Sequence, residues 1–234
     1  MKAVVLDFFG TLTDPSLESG RRASFSATAA ALGVPADAFW TAMSGSFPER
    51  VCGLLGDTRA TLEAVARRCG AAPSDAALTA AVAAHLRGAA GMRGPRPEAL
   101  TTLRTLRAAG FRLGLISDCS SELVESWPST PYAKLLDAAV FSWQEGYRKP
   151  DRRLYETVAR RLGVRPADCW FVGDGGSREH WGAARAGMRP VLVTNAGYAG
   201  AAALRDDPDS FRPAATVDDL SGLPALVCHD HACP

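Results

Sequence analysis

The sequence is poor in lysine, carries almost no net charge and contains no long apolar run. Its 26 basic residues include only the lysines Lys2, Lys134 and Lys149, and 25 acidic residues bring the net charge to +1. This balance gives no electrostatic reason to expect nucleic acid or a membrane surface as a partner. No apolar stretch approaches the length of a membrane span, and Asp7 comes too early for a signal peptide. We therefore expect a cytoplasmic protein whose first residues form a strand.

The six cysteines form no obvious disulfide framework. They occur singly in helical or strand-like segments, as reduced thiols of cytosolic proteins do, at Cys52, Cys69, Cys119, Cys169, Cys228 and Cys233. Only the tail, residues 228–233, places cysteine and histidine close together. Structural zinc sites usually draw ligand pairs from separated elements, so this tail favours a mobile terminus over a metal site.

Short apolar runs alternate with helical patterns along most of the chain, which is typical of a parallel α/β sheet. The predicted strands are residues 3–6, 111–116, 138–141, 169–172 and 190–193. The predicted helices between them are residues 97–109, 153–162 and 179–186, and a glycine directly follows each one.

Residues 15–94 break this alternation. They are rich in alanine and helical throughout, with turn signals at 33–35, 45–48, 56–57 and 73–74. A run rich in glycine and proline at 91–97 then returns the chain to the sheet pattern. The sequence therefore predicts an α/β core formed by residues 1–14 and 95–234, with an all-helical insertion at 15–94 after the first strand.

Polar side chains stand where three of the predicted strands end. Asp7 follows the first strand, Ser117 the second, and Asp174 precedes a glycine-rich turn after the strand at 169–172. Each alone would more often cap the turn that follows its strand. Ligands of parallel α/β sheets bind at the carboxyl ends of the strands, so together these residues indicate a site at one edge of the sheet.

A lysine in a restricted loop adds a cation to this set. Lys149 precedes Pro150, which restricts the backbone, and Asp151 is predicted to cap the next helix. Such a lysine suits pairing with a carboxylate and with an incoming anion. If Asp7 and Asp174 share one sheet edge, their carboxylates need a cation between them, and Mg²⁺ is the natural choice because it binds oxygen ligands.

The order Asp7, Ser117, Lys149 and Asp174 resembles the haloacid dehalogenase superfamily over nearly the whole chain. The specific spellings are DFFGTL at 7–12, GLISD at 114–118, GYRKPD at 146–151, and VGD at 172–174 followed by GAARAG at 182–187. The resemblance implies a Rossmann-like core with a helical cap that closes over the site.

The resemblance also implies roles for individual residues. Asp7 would be the covalent nucleophile, Ser117 and Lys149 would bind the transferred group, and Asp174 would bind the metal. The backbone carbonyl of Phe9 would be a further ligand, and Glu179 would hold the metal directly or through water.

Two residues depart from the pattern of the family's phosphatases. Phe9 stands where those enzymes carry an Asp that protonates the leaving group, and losing such a group typically costs about 10²–10⁴ in rate. An aromatic residue there is similar to the 2-haloacid dehalogenases, whose halide leaving group needs no proton, but they work without metal and lack the Gly173–Asp174 pair. Asp118 stands where Asn is more usual, and its charge would repel an anionic substrate.

Three functions therefore stay open. The sequence favours magnesium-dependent hydrolysis of a small phosphate monoester, because without a cation Asp7 and Asp174 would face only Lys149. The alternatives are a 2-haloacid dehalogenase-type hydrolase and a catalytically weak protein that keeps the fold and the anion site. Phosphonate hydrolysis through a Schiff base is disfavoured because it needs a cap lysine, and all lysines lie outside 15–94.

The sequence does not define the substrate beyond a small molecule. We expect Ser117, Asp118 and Lys149 to bind it from the core. Within the predicted cap, Arg50 is the candidate for a substrate contact, with Trp40 and Phe47 nearby in sequence. We expect a monomer or a homodimer.

Overall fold

The structure, a computed structural model, describes residues 2–198 and 207–229. Its strands are β1 (Ala3–Leu6), β2 (Arg112–Ser117), β3 (Ala138–Phe141), β4 (Cys169–Gly173), β5 (Arg189–Val193) and β6 (Ala215–Val217). Its helices are α1 (Arg21–Leu32), α2 (Ala36–Gly45), α3 (Phe47–Val51), α4 (Thr58–Arg68), α5 (Asp75–Gly91), α6 (Ala99–Ala108), α7 (Ser121–Ser126), α8 (Ser142–Glu145), α9 (Arg152–Leu162), α10 (Glu179–Arg185) and α11 (Leu223–His229). Short 3-10 helices lie at Pro15–Gly20, Trp127–Ser129, Pro166–Asp168 and Leu220–Gly222.

The strands form one parallel sheet in the order β3-β2-β1-β4-β5-β6. β1 is central, and its Leu6 lies beside Leu115 of β2 and Val172 of β4. The strand order runs outward in opposite directions from β1, so the carboxyl ends of β1, β2 and β4 meet at a topological switch point. Ligand sites of open α/β sheets lie at such points.

Both faces of the sheet are covered, which explains why β1 is apolar throughout. Alternate residues of a strand point to opposite faces. Leu6 belongs to a core cluster that includes residues of α6 and α11, whereas Val5 belongs to a cluster that includes residues of α9. All four residues of β1 are fully buried.

Helices α1 to α5 lie between β1 and α6, and α1, α2, α4 and α5 share a hydrophobic cluster that includes Phe25, Phe39 and Leu62. The chain leaves the sheet and returns to it side by side: Thr13 forms an antiparallel bridge with Pro95, and the Asp14 amide donates to the Gly94 carbonyl at 3.0 Å. The segment from 15 to 94 was predicted as an all-helical insertion after the first strand. Its separation as a domain stays a prediction.

The predicted α/β class, with a Rossmann-like parallel sheet, is confirmed, and all five predicted strands and all three predicted helices of the sheet region lie within two residues of their predicted ends. The sequence analysis missed β6, and part of its tail prediction was wrong. Cys228 and His229 end α11 instead of belonging to a mobile terminus; residues 230–234 lie outside the described part of the chain. Cys52, Cys69, Cys119 and Cys169 are free thiols, as expected. None of the described helices combines the length and apolarity that a membrane crossing needs.

Candidate active site

Asp7 lies directly after β1 and is held beside the end of β4. Its backbone amide donates to the Val172 carbonyl at 2.8 Å, which extends the parallel ladder by one residue. Asp174 stands two residues after Val172, at the same edge of the sheet. Asp7 and Asp174 are both buried. The predicted pairing of these two carboxylates at one edge therefore follows from the register of β1 and β4.

Lys149 contributes the cation of the site. Its Nζ donates to Asp7 Oδ1 and to Glu179 Oε2, each at 2.6 Å. Burial alone would lower the pKa of this ammonium, but Asp7, Glu179 and Asp118 raise it well above its ordinary value. Lys149 therefore carries the positive charge in this group. The loop before α9 fixes its backbone, and Asp151 caps that helix as predicted, accepting from the Arg153 amide.

Glu179, the first residue of α10, is more deeply buried than either aspartate. Its Oε1 accepts from the Gly175 amide at 2.8 Å, while Oε2 accepts from Lys149. Burial, together with the nearby carboxylates of Asp7 and Asp174, raises the pKa of Glu179 to about 8, against the opposing effect of Lys149. This carboxyl fits only because residue 173 is glycine: a Cβ there would lie 2.1 Å from Glu179 Oε1.

Asp7, Asp174 and Glu179 bring one carboxylate oxygen each to within 4.8 Å of one another. Gly10 allows this approach, since its φ of +75° is unfavourable for other residues and a Cβ there would lie 2.8 Å from Asp174 Oδ2. Three carboxyl groups lie beside one ammonium, so even with Glu179 protonated the acidic side chains outnumber the one cation, Lys149. Oxygen ligands in this number and charge suit a hard divalent cation.

Ser117 is the last residue of β2, which lies on the other side of β1 from β4, and Asp118 follows it. The Ser117 hydroxyl is fully buried and has no hydrogen-bond partner among the described residues, so it keeps its capacity to donate. Asp118 Oδ1 accepts from the Lys149 amide at 3.0 Å. Burial raises the pKa of Asp118, although Lys149 lowers it. A raised pKa favours the neutral form of the Asp118 carboxyl group. Because a neutral group does not repel an anion, the expected repulsion between Asp118 and an anionic substrate is weakened.

A cavity of about 370 Å³ lies between this sheet edge and the helical segment. From the core it is lined by Asp7, Phe9, Asp118, Lys149, Asp174 and Glu179, and from the helical segment by Trp40, Phe47 and Arg50. All sequence-predicted site residues except Ser117 thus line one cavity. Ser117 is fully buried and directly precedes Asp118, which does line the cavity.

Phe9 lies at the cavity wall and packs edge-on against Phe8, with 5.0 Å between ring centroids. Asp7 lines the same cavity, two residues earlier. The structure therefore places the aromatic ring of Phe9 beside the candidate nucleophile Asp7. This is the position at which the family's phosphatases were expected to carry the carboxyl group of an Asp.

Two residues that hold the loop after Asp7 in place, Arg96 and Asn195, were not predicted from the sequence. The Gly10 carbonyl accepts from Arg96 Nη2 and from Asn195 Nδ2, each at 2.9 Å. Arg96 is 1% exposed and follows the point where the helical segment rejoins the core. A fully buried arginine has no distinctive spacing in sequence, and Arg96 and Asn195 lie 86 and 185 residues along the chain from Gly10. Only the tertiary structure identifies it.

A family model for haloacid dehalogenase-like hydrolases matches residues 1–187. The chain belongs to this family of haloacid dehalogenase-like hydrolases.

Its relatives include enzymes of two kinds. The chain is 33% identical over 135 residues to a glyceraldehyde 3-phosphate phosphatase of Methanopyrus kandleri, covering 56% of this chain and 57% of that protein. It is 29% identical over 105 residues to an (S)-2-haloacid dehalogenase of Burkholderia cepacia, covering 43% and 44%. The chain thus spans about half the length of the curated relatives it matches. A solved 2-haloacid dehalogenase from Pseudomonas syringae pv. Tomato is 27% identical, covers 99% of this chain and 100% of its own, and superimposes with a TM-score of 0.71.

Proposed function

We propose that this protein hydrolyses a small phosphate monoester with the help of Mg²⁺ and through a covalent intermediate on Asp7. The observation that carries the proposal is the buried group of three carboxylates within 4.8 Å, which one ammonium cannot neutralise. The 33% identity to a phosphatase supports it.

The residues present fit a magnesium site. Asp7, Asp174 and the Phe9 carbonyl would hold the ion, and Glu179 would support it directly or through water. Both Glu179 oxygens already accept hydrogen bonds, which favours the indirect role. When bound, the cation supplies charge neutralisation for Asp7 and the incoming phosphate.

The chain's own residues account for the displacement. The Asp7 carboxylate forms a bond to phosphorus while the bond from phosphorus to the ester oxygen breaks. Lys149 and Ser117 stabilise the negative charge on the transferred group. The leaving alkoxide takes its proton from water, because Phe9 has none to give. Water then attacks the aspartyl phosphate, which releases inorganic phosphate and restores Asp7.

Phe9 favours a second candidate, a 2-haloacid dehalogenase. There Asp7 would displace the halide from carbon and form an ester, and no proton would be needed at the leaving group. The full-length similarity to a solved 2-haloacid dehalogenase supports this candidate too. It requires an uncoordinated nucleophile, which the excess of carboxylates around Asp7 disfavours.

One experiment separates these candidates. Phosphorylated metabolites and 2-haloacids are assayed with Mg²⁺ and with EDTA, and Asp7 is examined by mass spectrometry after rapid quenching. Phosphate release that needs Mg²⁺, with a phosphoryl group on Asp7, supports the proposal. Halide release that survives EDTA contradicts it, and no turnover on either series would indicate a catalytically weak descendant.

The cation itself has a measurable consequence. A ligand at 100 times its dissociation constant stabilises the folded state by about 2.7 kcal/mol. For a chain of this size we expect Mg²⁺ to raise the melting temperature by about 5–10 °C. Asp174→Ala should remove this response.

Asp75→Ala, which removes an exposed carboxylate from α5, serves as the control and should keep the response. An equal Mg²⁺ response in wild type and Asp174→Ala, measured by differential scanning calorimetry, would show that the ion binds elsewhere.

Phe9→Asp tests whether the missing proton donor limits turnover. If it does, hydrolysis of alkyl phosphates should rise by about 10²- to 10⁴-fold, because their leaving groups need a proton. Aryl phosphates with activated leaving groups should gain much less. The quantity to compare is the ratio of alkyl to aryl phosphate kcat/KM.

Phe9→Leu is the matched control, since it removes the ring without adding an acid. Melting curves of both variants are needed because an unpaired buried carboxylate destabilises a fold. An unchanged or lower ratio in a stable Phe9→Asp protein would contradict the idea of a slowed phosphatase.

We further infer that residues 15–94 act as a cap domain over a core of residues 1–14 and 95–234. The cavity between the two supports this division. We also propose a cytoplasmic location.

A further inference from the structure

Arg50, on α3 of the helical segment, lies at the cavity wall and is only 7% exposed. Its guanidinium makes three hydrogen bonds: Nε to Ser46 Oγ at 3.2 Å, Nη1 to Ser120 Oγ at 2.5 Å and Nη2 to the Met43 carbonyl at 3.1 Å. A guanidinium has five N–H groups. Two of the five are therefore left for a further acceptor.

All three of these acceptors are neutral. Among the residues that the structure describes, no carboxylate oxygen lies within 4.0 Å of a guanidinium nitrogen of Arg50, the limit for an ion pair. The neighbouring cavity arginine, Arg21, differs in this respect because it is paired with Glu18. Burial lowers the pKa of Arg50, while Glu122 raises it through a longer-range interaction. Glu122 lines the same cavity but forms no ion pair with Arg50. A buried cation that lacks a direct ion-pair partner is costly to desolvate, and an anion bound beside it would relieve that cost.

A purely structural role explains only part of this arrangement. The bond to Ser120 joins the helical segment to the loop after β2, so Arg50 does hold cap and core together. A neutral donor such as Gln would make such a contact at a lower desolvation cost. The positive charge and the two remaining N–H groups are left unexplained by that contact.

We propose that Arg50 binds a second acidic group of the substrate, so that the enzyme acts on compounds with a carboxylate besides the group that Asp7 attacks. This proposal deepens the proposed function and rests on it for the identity of the reacting group. The planar fork of an arginine suits bidentate binding of a carboxylate. A cavity of about 370 Å³ is at the small end of ligand sites, in keeping with a compact substrate of this kind.

A matched pair of substrates tests the proposal. Ethyl phosphate and 2-phosphoglycolate differ in that a carboxylate replaces a methyl group, and the measured quantity is the ratio of their kcat/KM values. Arg50→Gln should reduce the preference for 2-phosphoglycolate by about 10- to 100-fold. Comparing the ratio between variant and wild type cancels the difference in leaving-group reactivity. Arg50→Lys keeps the charge and loses the planar fork of the guanidinium. Its preference for 2-phosphoglycolate should fall between those of wild type and Arg50→Gln.

Two other variants separate charge from architecture. Ser120→Ala removes the contact between cap and core and leaves the charge of Arg50, so the preference should stay within about threefold of wild type. Arg59→Gln removes a surface arginine of α4 that pairs with Asp75, and the preference should not change. A preference lost equally in Ser120→Ala and Arg50→Gln would overturn the proposal in favour of a structural role.

A binding measurement keeps this inference distinct from the proposed function. Calorimetry compares 3-phosphonopropionate with propylphosphonate, neither of which can be hydrolysed at the bridging atom. Tighter binding of the carboxylated compound that disappears in Arg50→Gln supports the inference even if no phosphate ester is turned over. Hydrolysis of both esters with a ratio that Arg50→Gln leaves unchanged would overturn the inference and leave the proposed function standing.

Discussion

Asp7→Asn is expected to lower turnover by at least about 10⁴-fold while the protein stays folded. The amide has nearly the shape of the carboxylate and its oxygen can still accept from Lys149, but it is not a competent nucleophile. The variant should bind substrate and form no covalent intermediate. Steady-state kinetics and mass spectrometry of quenched protein measure both effects.

This result is expected for phosphate esters and haloacids alike, because both reactions begin with attack by Asp7. Asp75→Asn, on the surface of α5, is the matched control and should keep wild-type activity. Substantial hydrolysis by a folded Asp7→Asn protein would rule out covalent catalysis, whatever the substrate.

Lys149→Met is expected to cost about 3–5 kcal/mol of the free energy of unfolding at neutral pH, in addition to the loss of activity. The ammonium is 4% exposed and lies 2.6 Å from both Asp7 and Glu179, so its removal leaves buried carboxylates without their cation. Urea unfolding measures the change. Mg²⁺ should recover part of the lost stability, since it takes over some of the neutralisation.

Lys134→Met is the natural control. Apart from Lys2, which precedes the first strand, Lys134 is the only other lysine of the sequence, and its side chain is exposed. Its unfolding free energy should change by less than about 0.5 kcal/mol. A Lys149→Met protein as stable as wild type would mean that the carboxylates of the site are already neutral. That outcome would weaken the argument for a cation.

The sequence predicted the parts of the fold that depend on local patterns. Strands β1 and β3 have the predicted ends because four apolar residues bounded by polar ones admit few other assignments. The shared sheet edge of Asp7 and Asp174 was predictable because parallel strands align their carboxyl ends. β6 was missed because three residues, Ala215–Val217, carry too little alternation to stand out.

The contacts within the site were less accessible from sequence. Lys149 was expected to pair with a carboxylate, but its second partner, Glu179, becomes apparent only when α10 is placed against β4. The contact between Arg50 and Ser120 joins residues 70 positions apart on two packed layers. Local pattern fixes which residues end a strand, whereas packing between layers decides which side chains meet.

The side-by-side connections at Thr13 and Pro95 have a consequence for how this architecture can diversify. Because the Asp14 amide and the Gly94 carbonyl are hydrogen-bonded, everything between them leaves and rejoins the sheet at one point. A module attached in this way can be lengthened, shortened or exchanged without shifting the register of β1, since its ends impose no span on the strands. A chimera that carries a relative's segment in place of residues 15–94 should therefore keep the sheet and its carboxylates while acquiring a different cavity lining.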